Sequence, residues 1–171
     1  MTIRRILVPI DFAGCAYDVV ATAAVVAGGL RAEVVLLYVV QLPMGIDAET
    51  VVHPHGSERA KTALGLLRDD ARIHIGPLAE VLSDHDVAIS HVLRQGDVVE
   101  SILQTAVDVD ADMLIMGTHG RSGLQRFFLG SVAEQVVRRA DIPVTTVRAR
   151  DVESHAGFGA AQRQLQGEAQ G

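Results

Sequence analysis

The sequence predicts an α/β fold, a parallel β-sheet with helices on both faces. Three observations predict it. Short β-branched and aliphatic runs alternate with longer Ala- and Leu-rich stretches in the order β-α-β-α-β-α-β-α-β, the pattern of a parallel sheet. The chain is 49% hydrophobic but only 4% aromatic, so Val, Ala and Leu fill its core, which suits buried strands under small-residue helices. At 171 residues it has the length of one domain, able to bury roughly two-thirds of its unfolded surface without disulfides or metal.

Ile3 to Ile10 is apolar apart from Arg4 and Arg5 and stops at Asp11, which predicts a buried first strand. Tyr17 to Leu30 is apolar all round and predicts a buried helix, with Gly28-Gly29 as its stop. Val34 to Val40 is an unbroken β-branched and aliphatic run, a central strand. Gln41 to Ser57 carries Pro43, Gly45, Pro54 and Gly56 with no period and reads as a long loop. Ser57 then serves as N-cap for a helix through Leu64, Leu67 and Ala71. Gly76-Pro77 interrupts that helix, and Pro77 opens a second helical piece through Leu82.

Val87 to Leu93 is the third strand. Gly96-Asp97 turns into a helix from Val98 to about Val107, with Val99, Ile102, Leu103 and Ala106 on one face. Met113 to Met116 is a short strand ending at Gly117. Ser131 to Ala140 reads as a helix whose core face is Val132, Val136 and Ala140, and Val144 to Arg148 as the last strand. Beyond Arg150 the chain turns Gly-, Gln- and Ala-rich and reads as a poorly ordered tail.

Charge narrows the function. A formal net charge of −6 argues against a nucleic acid partner, since neutralising a phosphate backbone needs a basic surface. A local anion site built from backbone N–H groups needs no such surface. One cysteine, Cys15, leaves no disulfide framework and no cysteine-rich zinc site within the chain. No secretory signal is evident, and uncharged stretches such as Val19 to Leu30 are too short to span a bilayer. The expectation is a soluble cytoplasmic protein without a membrane partner.

The segment Gly117 to Val132 carries the chemistry. It begins where a buried strand ends and finishes where a helix begins. Gly117 and Gly120 lack Cβ and let the backbone approach an anion. Gly130 and Ser131 open a helix whose first N–H groups have no intrahelical acceptor, and whose dipole favours an anion by about 0.3–1 kcal/mol. Ser131 can also donate its hydroxyl to a phosphate oxygen, or cap the helix.

The spacing Gly117-x2-Gly120-x9-Gly130-Ser131, together with Met113 to Arg121, Leu129 to Glu134 and Ile142-Pro143-Val144, resembles the nucleotide-binding pattern of the universal stress protein family. The opening Ile6 to Asp11 and the strand Leu36 to Val40 fit it too, and the resemblance covers about Ile3 to Arg148. It implies a universal stress protein domain over residues 1–149, followed by the tail at 150–171. The implied sheet is five-stranded and parallel, of order 3-2-1-4-5, in a Rossmann-like, adenine nucleotide alpha hydrolase-like fold. That order brings Asp11 beside Gly117 at the reversal point, where open α/β sheets bind ligands.

By the same resemblance, Pro9, Asp11 and Val39 line the adenine and ribose side. Met116, Gly117, Gly120, Gly130, Ser131 and Val132 hold ribose and phosphates, mostly through backbone N–H. The implied ligand is ATP, or AMP or ADP, with Mg or Mn carried by the phosphates. The implied role is a regulatory or stress-response module that forms a homodimer through the last strand. The alternative is a slow ATPase or adenylate-handling enzyme using the same pocket. The sequence departs from the family in Phe12-Ala13-Gly14-Cys15, where many members cap the first helix with Ser or Thr.

Several residues carry a plainer reading beside the functional one. Asp11 can cap the first helix, and Arg121 and Arg126 can be solvated loop residues instead of phosphate contacts. His119 reads as structural, His53-Pro54-His55 as an incomplete metal site, and Cys15 as a small buried filler. No Walker lysine pattern, paired metal carboxylates or nucleophile–base arrangement is present, so no catalytic residue is assigned.

Overall fold

A computed structural model of the chain describes residues 2–11, 16–54, 59–118 and 130–148. Its elements run β1 (Arg5–Ile10), α1 (Ala16–Leu30), β2 (Glu33–Val40), β3 (Val51–Val52), β4 (Lys61–Thr62), α2 (Ala63–Ser83), β5 (Ile89–Gln95), α3 (Val98–Asp108), β6 (Met113–Gly117), α4 (Ser131–Arg139) and β7 (Val144–Val147). The five longer strands form one parallel sheet in the order β5-β2-β1-β6-β7. Counted alone, they have the order 3-2-1-4-5, and β1 lies against β6 with Ile6 opposite Met113 and Leu7 opposite Leu114.

Strand alternation splits the core into two layers. Ile6, Val8, Leu36, Tyr38 and Ile115 face α1 and α2, where Ala23, Ala24 and Ala27 let α1 lie close to the sheet. Leu7, Leu37, Leu114 and Met116 face α3 and α4, against Ile102 and Val136. Both faces of β1 and β2 are covered, which is why these strands read as unbroken apolar runs rather than alternating ones.

Three expectations about helix ends are corrected. α1 does not stop at Gly28-Gly29. It ends at Leu30, as expected, but the closing turn falls one residue later, where Arg31 is left-handed at φ 55 while the Ala32 N–H donates to the Ala27 carbonyl at 2.9 Å. That six-to-one bond satisfies a terminal carbonyl, the task a C-terminal glycine commonly serves.

The second helix begins at Ala63 with Thr62 as its N-cap, not at Ser57, which lies outside the described residues. It then runs to Ser83 straight through Pro77. An interior proline costs roughly 3 kcal/mol through its missing N–H and ring clash. Ile75, Leu78 and Leu82 are all buried around it, each contributing roughly 1.5–3 kcal/mol. Burial on one continuous face outweighs the proline, so the predicted break is absent.

The long loop also contains more order than expected. Val51 and Val52 pair antiparallel with Thr62 and Lys61. The carbonyls of Thr50 and Ala48 accept the Ala63 and Leu64 N–H groups at 2.8 and 3.2 Å, while the Thr62 hydroxyl accepts from Gly65 at 3.1 Å. A Cβ at Gly65 would stand 2.9 Å from that hydroxyl. Gly65→Ala is therefore expected to destabilise the parent by about 1 kcal/mol through loss of the cap. In a Thr62→Ala background the same change should stabilise by up to about 1 kcal/mol through helix propensity. Urea denaturation of the four-protein cycle checks the change of sign; the same sign in both backgrounds would contradict it.

At the opposite end of the sheet Asp112 fastens β1 to β6. Its Oδ2 accepts the N–H groups of Arg4 at 2.8 Å and Arg5 at 3.0 Å. Those two backbone bonds, helped by both arginine charges, hold its carboxyl below the usual value of 3.8. A carboxylate with a depressed folded-state pKa stabilises fully above its unfolded value and loses that contribution as pH falls through the folded one. Asp112→Asn should thus lower the urea midpoint at neutral pH, and the gap to the parent should close in strong acid. A gap independent of pH would contradict the assignment.

Candidate functional site

The reversal of strand order opens a cleft at the carboxyl ends of β1 and β6, where parallel α/β sheets bind ligands. The cleft encloses about 310 Å³. Pro9 and Asp11 reach it from β1 and its end, Val39 from β2, Met116 and Gly117 from β6, and Gly130, Ser131 and Val132 from the start of α4. The structure thus gathers eight of the nine sequence-predicted residues around one cavity; Gly120 lies outside the described residues. Outside them too fall Cys15, His55, His119, Arg121, Arg126 and the 150–171 tail.

The lining combines apolar walls with a few polar groups. Met116 is buried, Pro9, Val39 and Val132 are half-buried, and Ser131 is exposed. Among the described residues Asp11 is the lining's carboxylate, held half-buried just after the last residue of β1. A planar apolar ligand would find the walls, and a donor group on its edge would find Asp11, since an ionised carboxylate is an acceptor only.

Helix starts in this fold are not alike. The first amides of α2 are taken by Thr50, Ala48 and Thr62. In α3 the Asp97 carboxylate accepts from Glu100 at 2.9 Å. The N-cap of α4 is Gly130, which has no side chain to offer, and the first bond of this helix runs from Glu134 to the Gly130 carbonyl at 2.9 Å. Among the described residues the N–H groups of Ser131, Val132 and Ala133 have no acceptor. All three residues line the cleft, at the positive end of the helix dipole.

Gly130 differs from its neighbours. Its own N–H donates to the Thr118 carbonyl at 2.7 Å, and the Thr118 N–H donates to the Val147 carbonyl at 2.9 Å. These bonds tie the ends of β6 and β7 to the start of α4. Gly130 therefore shapes the cradle, while the available amides belong to the residues after it.

Sequence reasoning missed part of the lining, including Tyr38, Gln41, Val98, Ile102, Thr118 and Ala133. Gln41 had a legible signal, since it follows Val39 by two residues and so continues the same strand face. Val98 and Ile102 are four apart on α3 and read only as core, because periodicity cannot distinguish a buried face from one that also borders a cavity.

A larger hollow, about 710 Å³, opens at the amino ends of the strands among Arg4, Arg31, Glu33, Asp86 and Asp110. The C-termini of α1, α2 and α3 point to that end, and none carries a basic residue in its last turn. Helix carbonyls disfavour anions there, while Arg4, Arg5 and Arg31 stand against the carboxylates of Glu33, Asp86, Asp110 and Asp112. Size and chemistry thus point to different ends, and the polar donors decide for the smaller cleft. Among the described residues no group of three or more His, Cys, Asp or Glu side chains could hold a metal ion.

The sequence profile described as the Universal stress protein family matches residues 2–148. A universal stress protein of Methanocaldococcus jannaschii is 29% identical over 147 residues, which span 85% of this chain and 82% of that protein. The solved structure of a universal stress protein in complex with cAMP superposes with a TM-score of 0.63 at 18% identity, covering 88% of this chain and 100% of the other. The universal stress protein from Archaeoglobus fulgidus in complex with dAMP gives a TM-score of 0.55 at 22% identity, covering 85% and 98%. At these identities the structural likeness is one of fold.

Proposed function

We propose that this chain, which belongs to the universal stress protein family, binds an adenine nucleotide in the cleft between β1 and β6 and acts as a regulatory module in the cytoplasm. The observation that carries the reading is the bare start of α4, where Ser131 and Val132 line a cavity with apolar walls and their amides have no acceptor among the described residues. The complexes of fold neighbours with cAMP and dAMP support an adenine ligand.

In this reading Pro9 and Val39 pack against the flat base, and Asp11 accepts from a base amine or ribose hydroxyl. Met116 and Gly117 flank the ribose, and Gly120 approaches the phosphates with the Ser131 and Val132 amides. ATP is the first candidate, with AMP and ADP as the shorter ones. A Mg or Mn ion would be held by the phosphates and water, because Asp11, the lining's carboxylate among the described residues, does not by itself make a protein cage.

The lining described above holds no nucleophile–base pair, which favours binding over turnover. Mass analysis of nucleotide released from the purified protein, followed by incubation with labelled ATP, tests both points. The reading expects an adenine nucleotide and turnover at background. Turnover well above background that Asp11→Ala abolishes would replace it with the slow ATPase.

A homodimer through β7 belongs to the same proposal. β7 is an edge strand, Val144-Thr145-Thr146-Val147, with no charge along it. The other edge, β5, carries exposed His91 and Arg94, which discourage pairing. Light scattering at micromolar concentration should give twice the chain mass; a monomer contradicts the dimer.

A further inference from the structure

We infer that Gln41 reads the base of the bound nucleotide, its side-chain amide supplying the hydrogen-bond donor that Asp11 lacks. This rests on the nucleotide reading above and adds a residue that the glycine pattern does not contain.

Gln41 lines the cleft, and its neighbours fix the side it takes. Val40 and Leu42 both pack into the layer under α1 and α2, while Val39 packs with α3 and α4. The chain thus alternates through Gln41 and leaves it on the side of Val39. The β2–β5 ladder closes just before it: Val40 stands opposite Gln95, and the Val40 carbonyl accepts from Gly96 at 3.4 Å. Sheet order then supplies a direction. β2, β1 and β6 are consecutive neighbours. Gln41 follows β2, Asp11 follows β1, Thr118 follows β6, and Ser131 opens α4, all four in the lining. A phosphate at the Ser131 amide therefore leaves the base toward β2. At about 4.8 Å per strand that is roughly 10 Å away, with the ribose between.

Chemistry makes this placement informative. The lining around Gln41 is apolar in Pro9, Val39 and Val98, which suits the faces of a base but not its edge. Asp11 as a carboxylate only accepts, so it serves an amine and cannot serve a ring nitrogen, which is itself an acceptor. Adenine carries both, the 6-amine beside the acceptor N1. A glutamine amide matches that pair, since its carbonyl accepts from the amine while its NH2 donates to the nitrogen. Hypoxanthine has a carbonyl oxygen in place of the amine and a protonated N1, so it offers Asp11 no amine.

Calorimetric titrations of MgATP and MgITP into the full chain test it. The parent should prefer MgATP. Gln41→Leu should weaken MgATP about tenfold. Its urea midpoint should match the parent's, because Gln41 is exposed. Gln41→Glu exchanges the donor for an acceptor, which opposes N1 of adenine and suits the N1–H of hypoxanthine. It should narrow the preference for MgATP about tenfold. Undiminished MgATP affinity in Gln41→Leu, or a preference that Gln41→Glu leaves unchanged, would overturn the role of Gln41 in a cleft that still binds. If the parent binds neither nucleotide, the cleft reading itself fails, and this inference with it.

Discussion

Leu114→Ala is expected to lower the free energy of unfolding by roughly 2–5 kcal/mol, a large share of the 5–15 kcal/mol typical of a domain. Leu114 is fully buried in β6, opposite Leu7 on one side and Val144 on the other. Its side chain belongs to the cluster that includes Ile102 and Val136, so truncation leaves a void between the sheet and both α3 and α4. Strands on both sides and helices above restrict collapse into that void, which places the cost toward the upper part of the range. Val107→Ala is the matched comparison: Val107 is 70% exposed on α3 and should change stability by less than about 0.5 kcal/mol. Urea denaturation measures both. A loss below about 1 kcal/mol for Leu114→Ala would mean that this layer is packed differently.

Gly130→Val is expected to weaken nucleotide binding by roughly 10- to 100-fold, or about 1.4–2.7 kcal/mol, with little effect on folding. The backbone at Gly130 has φ −61 and ψ 153, extended geometry that a β-branched residue adopts without strain. Its N–H bond to Thr118 survives the change, since it involves the main chain alone. What changes is the wall of the cleft, which gains a branched side chain next to the Ser131 and Val132 amides. A phosphate must approach those amides to about 2.9 Å, and small residues leave that path open. Equal urea midpoints with unequal affinities would separate access from stability. Unchanged affinity would remove the phosphates from this position.

Much of this architecture was legible because two signals agreed. Apolar runs such as Val34 to Val40 are too short and too β-branched for helices, and each is followed by a stretch of helical period. The adjacency of β1 and β6 was not legible from periodicity; it came from the resemblance, and the Ile6–Met113 register bears it out.

The failures share a cause. Pro77 is a strong local stop signal, yet the buried face Ile75, Leu78 and Leu82 carries α2 through it. Tertiary burial outweighs local propensity when one helical face is continuous. Thr62 was overlooked as a cap because its value depends on the Thr50 and Ala48 carbonyls beside it, contacts made by a loop without a period. At the cleft, the sequence could not reveal that the Gly130 amide is spent on Thr118, so that the amides without an acceptor among the described residues begin one residue later.

The most direct test is a backbone-amide NMR titration of the full chain with ATP. The account predicts saturable shifts concentrated at Ser131 and Val132, with smaller ones at Val39 and Gly117, while Arg31 and Asp86 at the far end of the sheet stay still. Saturation with Ser131 and Val132 unmoved, or shifts centred on the amino-end hollow, would contradict it.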